Sequence, residues 1–351
     1  MAPARILVVT PVFGVGNLVL LTGLLANLRR LHPGAHVTVA LPAAPYVASI
    51  LGPELADALE YFEPRSPRRA LAFAWRTLRP RRFDLGLATF FFPWWYASAL
   101  LLAAGCRARV ACAPDARRGV LNTVTCFDGG GHELDRHLQL LAFAGASLER
   151  TTRLVPGAEA RAWADAAVGG LRTRGAARLV GIHPGCEAVN RQKRWPAERF
   201  GELARRLAAH GDVGVLVFVG PGEEDVLPAL GLADGPRVHV VRGEELARVI
   251  ALVARCDAFV SNDSGLMHMA AALDVPVAAV FGPTPLDKNA PVGRAVVVEQ
   301  EGVWCRPCWA GPPLTCHRER RHCLEDITVE QVLAAALSLL PEAGGVRREG
   351  A

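Results

Sequence analysis

The stretch AFVSNDSGLMHMAAALDVPVAAVFGP, Ala258 to Pro283, constrains the fold more than any other part of the chain. A short apolar run, Ala258 to Val260, stops at the polar turn Ser261-Asn262-Asp263-Ser264-Gly265. Leu266 to Leu273 then carries alanines and large apolar residues at helical spacing. Past Asp274 the run Val275 to Phe281 is rich in β-formers and closes on Gly282-Pro283. Strand, helix and strand in that order make a βαβ unit, whose helix begins at the carboxyl edge of a parallel sheet. Unpaired N–H groups and the helix dipole favour an anion there, and a diphosphate suits the place. Asp263 and Ser264 are also ordinary helix-capping residues, so their types leave capping and ligand binding both open. His268, one turn into a helix that is otherwise small and apolar, favours the ligand.

The rest of the chain repeats this alternation. Arg5 to Thr10 is a short apolar strand, PVFGVGN a turn, and LVLLTGLLANLRRLHP an amphipathic helix ending before Pro33-Gly34; Val37 to Leu41 and APYVASILG continue as strand and helix. Gly14, Gly16 and Asn17 let the backbone of the first βα turn approach a ligand, although GxGN lacks the third glycine of a dinucleotide fingerprint. After Pro156-Gly157 the helix GAEARAWADAAVGGLRTRG joins two halves. Leu179 to His183, Val213 to Val219 and Val238 to Val241 are strands, with helices starting near Pro196 and over Glu244 to Arg255. These signals divide 351 residues into an N-terminal domain 1–156, a linker helix 157–177, a second domain 178–326, a closing helix 327–340 and a flexible tail 341–351. The expected class is α/β, two Rossmann-like domains with a cleft between them.

Charge and cysteine usage narrow the setting. The formal net charge is +5, yet of 39 lysines and arginines only Lys193 and Lys288 are lysine; a lysine kept where arginine is the default suggests a site that wants a compact charge. Arg65, Arg68, Arg69, Arg76, Arg79, Arg81 and Arg82 fall in one run with no acidic residue between them. That run reads as a solvated helix face or as a patch for phosphates or an anionic membrane, with Trp75, Trp94 and Trp95 placed for an interface. No recognised nucleic-acid motif accompanies it, so nucleic acid is not an expected partner. Nine cysteines without a cleavable signal point to a cytoplasmic protein, peripheral on the inner membrane face at most. Leu85 to Cys106 has the length of a membrane span and no charge before Arg107, but Pro93 and its composition divide it into strand, helix and turn.

Three segments, GVGNLVLLTGLLANLRRLHP, HPGCEAVNRQKRWPAERFGELARRL and SNDSGLMHMAAALDVPVAAVFGPT, resemble the N-terminal turn and helix, the Lys-x-Trp-Pro donor loop and the Asp-Ser/Thr-Gly-x-x-His signature of glycosyltransferase family 9, the ADP-heptose:lipopolysaccharide heptosyltransferases and their relatives. They stand in the family's order and span nearly the whole chain. The resemblance implies a GT-B architecture and an inverting, metal-independent transfer, without cofactor, of a heptose or related sugar from a nucleotide-sugar donor, ADP-heptose foremost, to a lipopolysaccharide core or related envelope glycan. It implies that Asp263, Ser264, Gly265 and His268 hold the donor phosphates and that Lys193 is catalytic there. Glu224, with Glu223 equally placed, is implied at the donor ribose, and Gly14 and Gly16 in the acceptor-side loop. Lys193 and Asp263 are thereby assigned to ligand rather than fold, and alanine at 193 should leave the melting temperature near wild type.

Asn17 departs from the pattern, since the family's residue there is an aspartate proposed as base and an amide takes no proton. Substitutes within the same domain are Asp128, Glu133 and Asp135, with His132 and His137. A protein that binds nucleotide sugars or glycolipids without turnover is the alternative, and a sugar-nucleotide epimerase a further one. Cys305, Cys308, Cys316 and Cys323 pair one CxxC with wider spacings, with His317 and His322 nearby. They suit a family-specific loop of reduced thiols more than a zinc site, so no metal is expected.

Overall fold

The computed structural model describes residues 3–12, 14–90, 92–113, 124–127, 131–142, 145–309 and 315–342. It divides into two compact units, Met1–Leu154 and Val155–Ala351. Both follow from the βα alternation, because parallel strands need a crossover that packs on a sheet face.

The first unit holds strands β1 (Arg5–Val9), β2 (His36–Leu41), β3 (Ala58–Tyr61), β4 (Leu85–Ala88), β5 (Ala108–Ala113) and β6 (Val124–Phe127). They form one parallel sheet in the order β3-β2-β1-β4-β5-β6. The order reverses between β1 and β4, the place where doubly wound sheets bind ligands beyond their strand ends. Helix Val15–Leu31 starts there with Gly14 as its N-cap, so Gly16 and Asn17 lie in its first turn. The sequence reads this helix as amphipathic, but Leu18 to Leu25 are buried without interruption. The uncharged run after Leu85 folds as β4 followed by the helix Trp94–Ala103, and among the described residues no helix is long and apolar enough to cross a membrane.

The second unit repeats the plan with β7 (Arg178–His183), β8 (Val213–Val219), β9 (Val238–Arg242), β10 (Ala258–Asn262), β11 (Val277–Phe281) and β12 (Ala295–Glu299), ordered β12-β11-β10-β7-β8-β9 and parallel throughout. Its reversal lies between β7 and β10. The helix Ala158–Thr173, read as a linker, buries Ala164, Val168 and Leu171 in this unit's core beside Leu252 and Phe259. The helix Val329–Leu339, read as a closing helix, places Val332, Ala336 and Leu339 in the second unit's core, with Trp195 and Phe200. Its start is fixed by a capping box between Thr328 and Gln331. Most of the expected tail, residues 343–351, lies outside the described residues.

The helix Ala197–Ala209 crosses close over the segment Leu227–Leu230. A Cβ at Gly201 would stand 2.0 Å from the carbonyl oxygen of Leu230, a backbone atom that cannot swing aside. Gly201→Ala should therefore cost about 1–3 kcal/mol or more, read as a lower urea midpoint at unchanged m-value.

Candidate functional site

At the reversal of the second sheet, β7 ends in His183 and β10 in Asn262. The Asn262 side chain, fully buried, uses both ends of its amide. Its oxygen accepts from the Trp195 N–H at 2.8 Å, and its nitrogen donates to the carbonyls of Pro184 and Gly185 at 2.9 and 3.0 Å. One amide thus binds the loop after β7 to the Lys193-Arg194-Trp195 segment. Trp195 is anchored from its other side, where its indole N–H donates to the Ile327 carbonyl at 3.0 Å and its ring meets Phe200 edge-on.

So held, Lys193 reaches Asp263, with Nζ to Oδ2 2.7 Å and both side chains buried. Its ammonium also lies 4.1 Å from the centre of the Trp309 ring. This corrects the assignment of the two residues to ligand alone: they form a buried ion pair, and such pairs are costly to break from one side. Arg194, equally buried, donates to both oxygens of Asp225 and to the Cys186 carbonyl.

Ser264 is the N-cap of the helix Gly265–Ala272, yet its side chain makes no capping bond. Its hydroxyl instead meets His183 Nδ1 at 3.0 Å and Ser261 Oγ at 2.9 Å. The capping reading therefore falls for Ser264, whose side chain belongs to a lateral network. His183 Nε2 faces Glu223 Oε2 at 2.9 Å, where a carboxylate can only accept, so Nε2 carries a proton. Gly220 N–H donates to the same oxygen at 2.8 Å. Burial is the largest single influence on Glu223 and raises its pKa, but the His183 and Gly220 hydrogen bonds and the charges of His183 and Arg194 together leave it below the ordinary value. Of the two glutamates read from the sequence, Glu223 joins the network while Glu224 points outward, exposed. The left-handed Gly222 (φ 77°) turns the chain just before them. Gly185 is required as well, since a Cβ there would lie 2.2 Å from Glu223 Oε2. His268 is buried one turn into the helix.

Sequence pattern alone does not single out Asn262, His183 or Arg194. Asn262 and His183 close a strand with a polar residue in a buried position, and that is the available signal. The assembled site places two buried cations, a helix N-terminus and small residues at one sheet edge, and such a set can hold a phosphorylated ligand and stabilise charge building on it.

In the first unit, Gly14 leaves room for Asn17, whose Oδ1 would be 3.1 Å from a Cβ at position 14. Asn17 Nδ2 donates to Glu133 Oε2 at 3.0 Å. The other candidate bases are engaged elsewhere. Asp135 pairs with Arg150 at 2.8 Å, and His132 Nδ1 accepts from the Leu134 N–H. His137 is sealed, with burial and then the Arg136 charge lowering its pKa to about 3. Asp128 lies outside the described residues.

Cys305, Cys308, Cys316 and Cys323 line one pocket with His317 and His322. Burial pushes the Cys323 thiol up to about 11, against the lowering charge of Arg306. Among the described residues no three ligating side chains are grouped closely enough to share a metal ion.

Comparison with known proteins places this geometry in a family. The model of glycosyltransferase family 9 (heptosyltransferase) matches residues 73–313. Lipopolysaccharide heptosyltransferase 2 of Escherichia coli K12 is 30% identical over 317 residues, covering 83% of this chain and 86% of that protein. The Salmonella typhimurium LT2 protein of the same name is 35% identical over 170 residues, 47% of this chain and 48% of that protein, so that match spans about half its length. The solved structure of E. coli ADP-heptose lps heptosyltransferase II superposes with a TM-score of 0.74 at 24% identity, covering 97% of this chain and all of that one; it has the same fold.

Because the Glu223 carboxyl is a stronger acid folded than unfolded, its interactions stabilise the protein above the ordinary glutamate pKa, and the gain is lost as pH falls through the folded value. Glu223→Gln should thus be less stable than wild type at neutral pH, with the gap in melting temperature closing below about pH 4.3. A gap that stays constant with pH would assign the loss to packing.

Proposed function

We propose, from the premise that the chain belongs to glycosyltransferase family 9, that it transfers a heptose from ADP-heptose to a lipopolysaccharide core or a closely related envelope glycan. The observation that carries the donor half is the buried Lys193–Asp263 pair at the head of the helix Gly265–Ala272, on the reversal point of the second sheet. Departure of the nucleoside diphosphate puts negative charge where the sugar–phosphate bond breaks. Lys193 supplies the compact positive charge for it, and the amides opening the helix supply fixed dipoles. Asp263 holds the ammonium in place through their hydrogen bond. Ser264, Gly265 and His268 line the phosphate side. Glu223 serves the network, and Glu224, exposed next to it, serves the nucleoside ribose. Asn17, with Gly14 and Gly16, serves the acceptor.

Lys193→Ala leaves Asp263 buried without its cation and should cost about 3–5 kcal/mol of stability together with transfer activity. Lys193→Ala combined with Asp263→Asn should recover most of the melting temperature and none of the activity. Full transfer by the double variant, measured with labelled ADP-heptose, would remove Lys193 from the donor site. Lys193→Arg should not substitute, because a planar fork lacks the point-charge geometry.

The arginine run supports a peripheral contact with the membrane that carries the acceptor. Arg65, Arg68, Arg76, Arg79 and Arg82 are exposed, as is Trp75, with Arg79 stacked 4.1 Å over its ring. Arg69 and Arg81 are paired to Glu63 and Glu60. Association with anionic vesicles should weaken as salt rises and the screening length shrinks. Binding that ignores salt, or none at low salt, speaks against the contact.

A further inference from the structure

We infer that Trp309 is a positioning residue for the donor diphosphate: the face of its indole holds the Lys193 ammonium so that one N–H is left for a phosphate oxygen. The inference rests on the donor reading of Lys193 given above, and every group it uses lies in the second unit. Lys193 is 6% exposed, its Nζ stands 2.7 Å from Asp263 Oδ2, and the centre of the Trp309 ring is 4.1 Å from the same nitrogen.

An ammonium has three N–H donors and no lone pair. Among the described residues Asp263 takes one by a hydrogen bond, and the ring face occupies a second side. The third remains for a ligand oxygen. The kind of partner on the second side decides what the cation can do. Another carboxylate there would turn the cluster negative and repel a diphosphate, and water would screen the charge. An indole face attracts the cation through its quadrupole, brings no net charge and keeps water away.

The ring is placed by the sheet rather than by a loose loop. The backbone N–H groups of Cys308 and Trp309 both donate to the Pro283 carbonyl at 3.1 Å. Arg306, three residues earlier, donates to the Gly282 carbonyl at 2.6 Å, to the Gln300 carbonyl at 3.1 Å and to Glu299 at 2.7 Å. Gly282 and Pro283 directly follow β11, which pairs with β10, and Asp263 directly follows β10. Carboxylate and ring therefore reach Lys193 from the ends of two adjacent strands. Both backbone anchors of the ring survive a change of the side chain.

The test uses the full chain with ADP as the probe. Trp309→Leu keeps apolar bulk without the ring face and should weaken ADP binding about threefold to thirtyfold, the range a cation–ring contact spans. Trp309→Phe, which keeps a weaker ring, should lose less. The chain has two lysines, Lys193 and Lys288, so labelled lysine gives two Cε signals, and Lys288→Arg assigns them. In wild type the Lys193 CεH2 protons should be shifted upfield by the indole and should stay shifted when ADP saturates the site. Trp309→Leu binding ADP as tightly as wild type overturns the inference, and so does equal loss in the leucine and phenylalanine variants, which marks packing alone. Collapse of the upfield shift on adding ADP also overturns it, because the ring would then have left the ammonium; that measurement needs only folded wild type, whatever the variants do. A wild type that does not bind ADP overturns the donor reading and this inference with it, whereas ADP binding indifferent to position 309 overturns the inference alone.

Discussion

Both loops of the second unit's candidate site hang on the amide of Asn262. It is the last residue of a central strand, it is fully buried, and its three hydrogen bonds go to backbone groups of two separate segments. Loops tied through their backbone at one point cannot shift independently, so the position of Lys193 is set by strand β10 rather than by its own flexible stem. The 2.7 Å contact to Asp263, one residue past Asn262, closes a short circuit of strand, loop and ion pair. Trp195, pinned from beneath through the Ile327 carbonyl, keeps the circuit from opening toward the core. Stiffness of this kind gives a site its preorganisation, since the donors need not be gathered when charge develops.

Much of the architecture is legible in the sequence because central strands and buried helices announce themselves by unbroken apolar runs. Where that legibility ends, it ends at edges. β3 and β6, which the apolar pattern does not mark, are the edge strands of their sheet. A strand such as ALEY, partly exposed along its length, carries neither the continuous run of an interior strand nor a clean alternation. The helix Val15–Leu31 shows the opposite limit. Its buried surface exceeds one face, so its boundary is readable and its depth is not.

The site divides in the same way. Lys193, Asp263, Ser264, Gly265 and His268 lie in segments whose local pattern already marks a turn before a helix. The residues that join them, Asn262, His183 and Glu223, act across 40 to 81 positions, and no local period records such partnerships. The choice between Glu223 and Glu224 needs the turn at Gly222, because adjacent residues in a turn point to opposite sides. Burial of Lys193 and Asp263 is equally invisible, for both are residue types found mostly at surfaces.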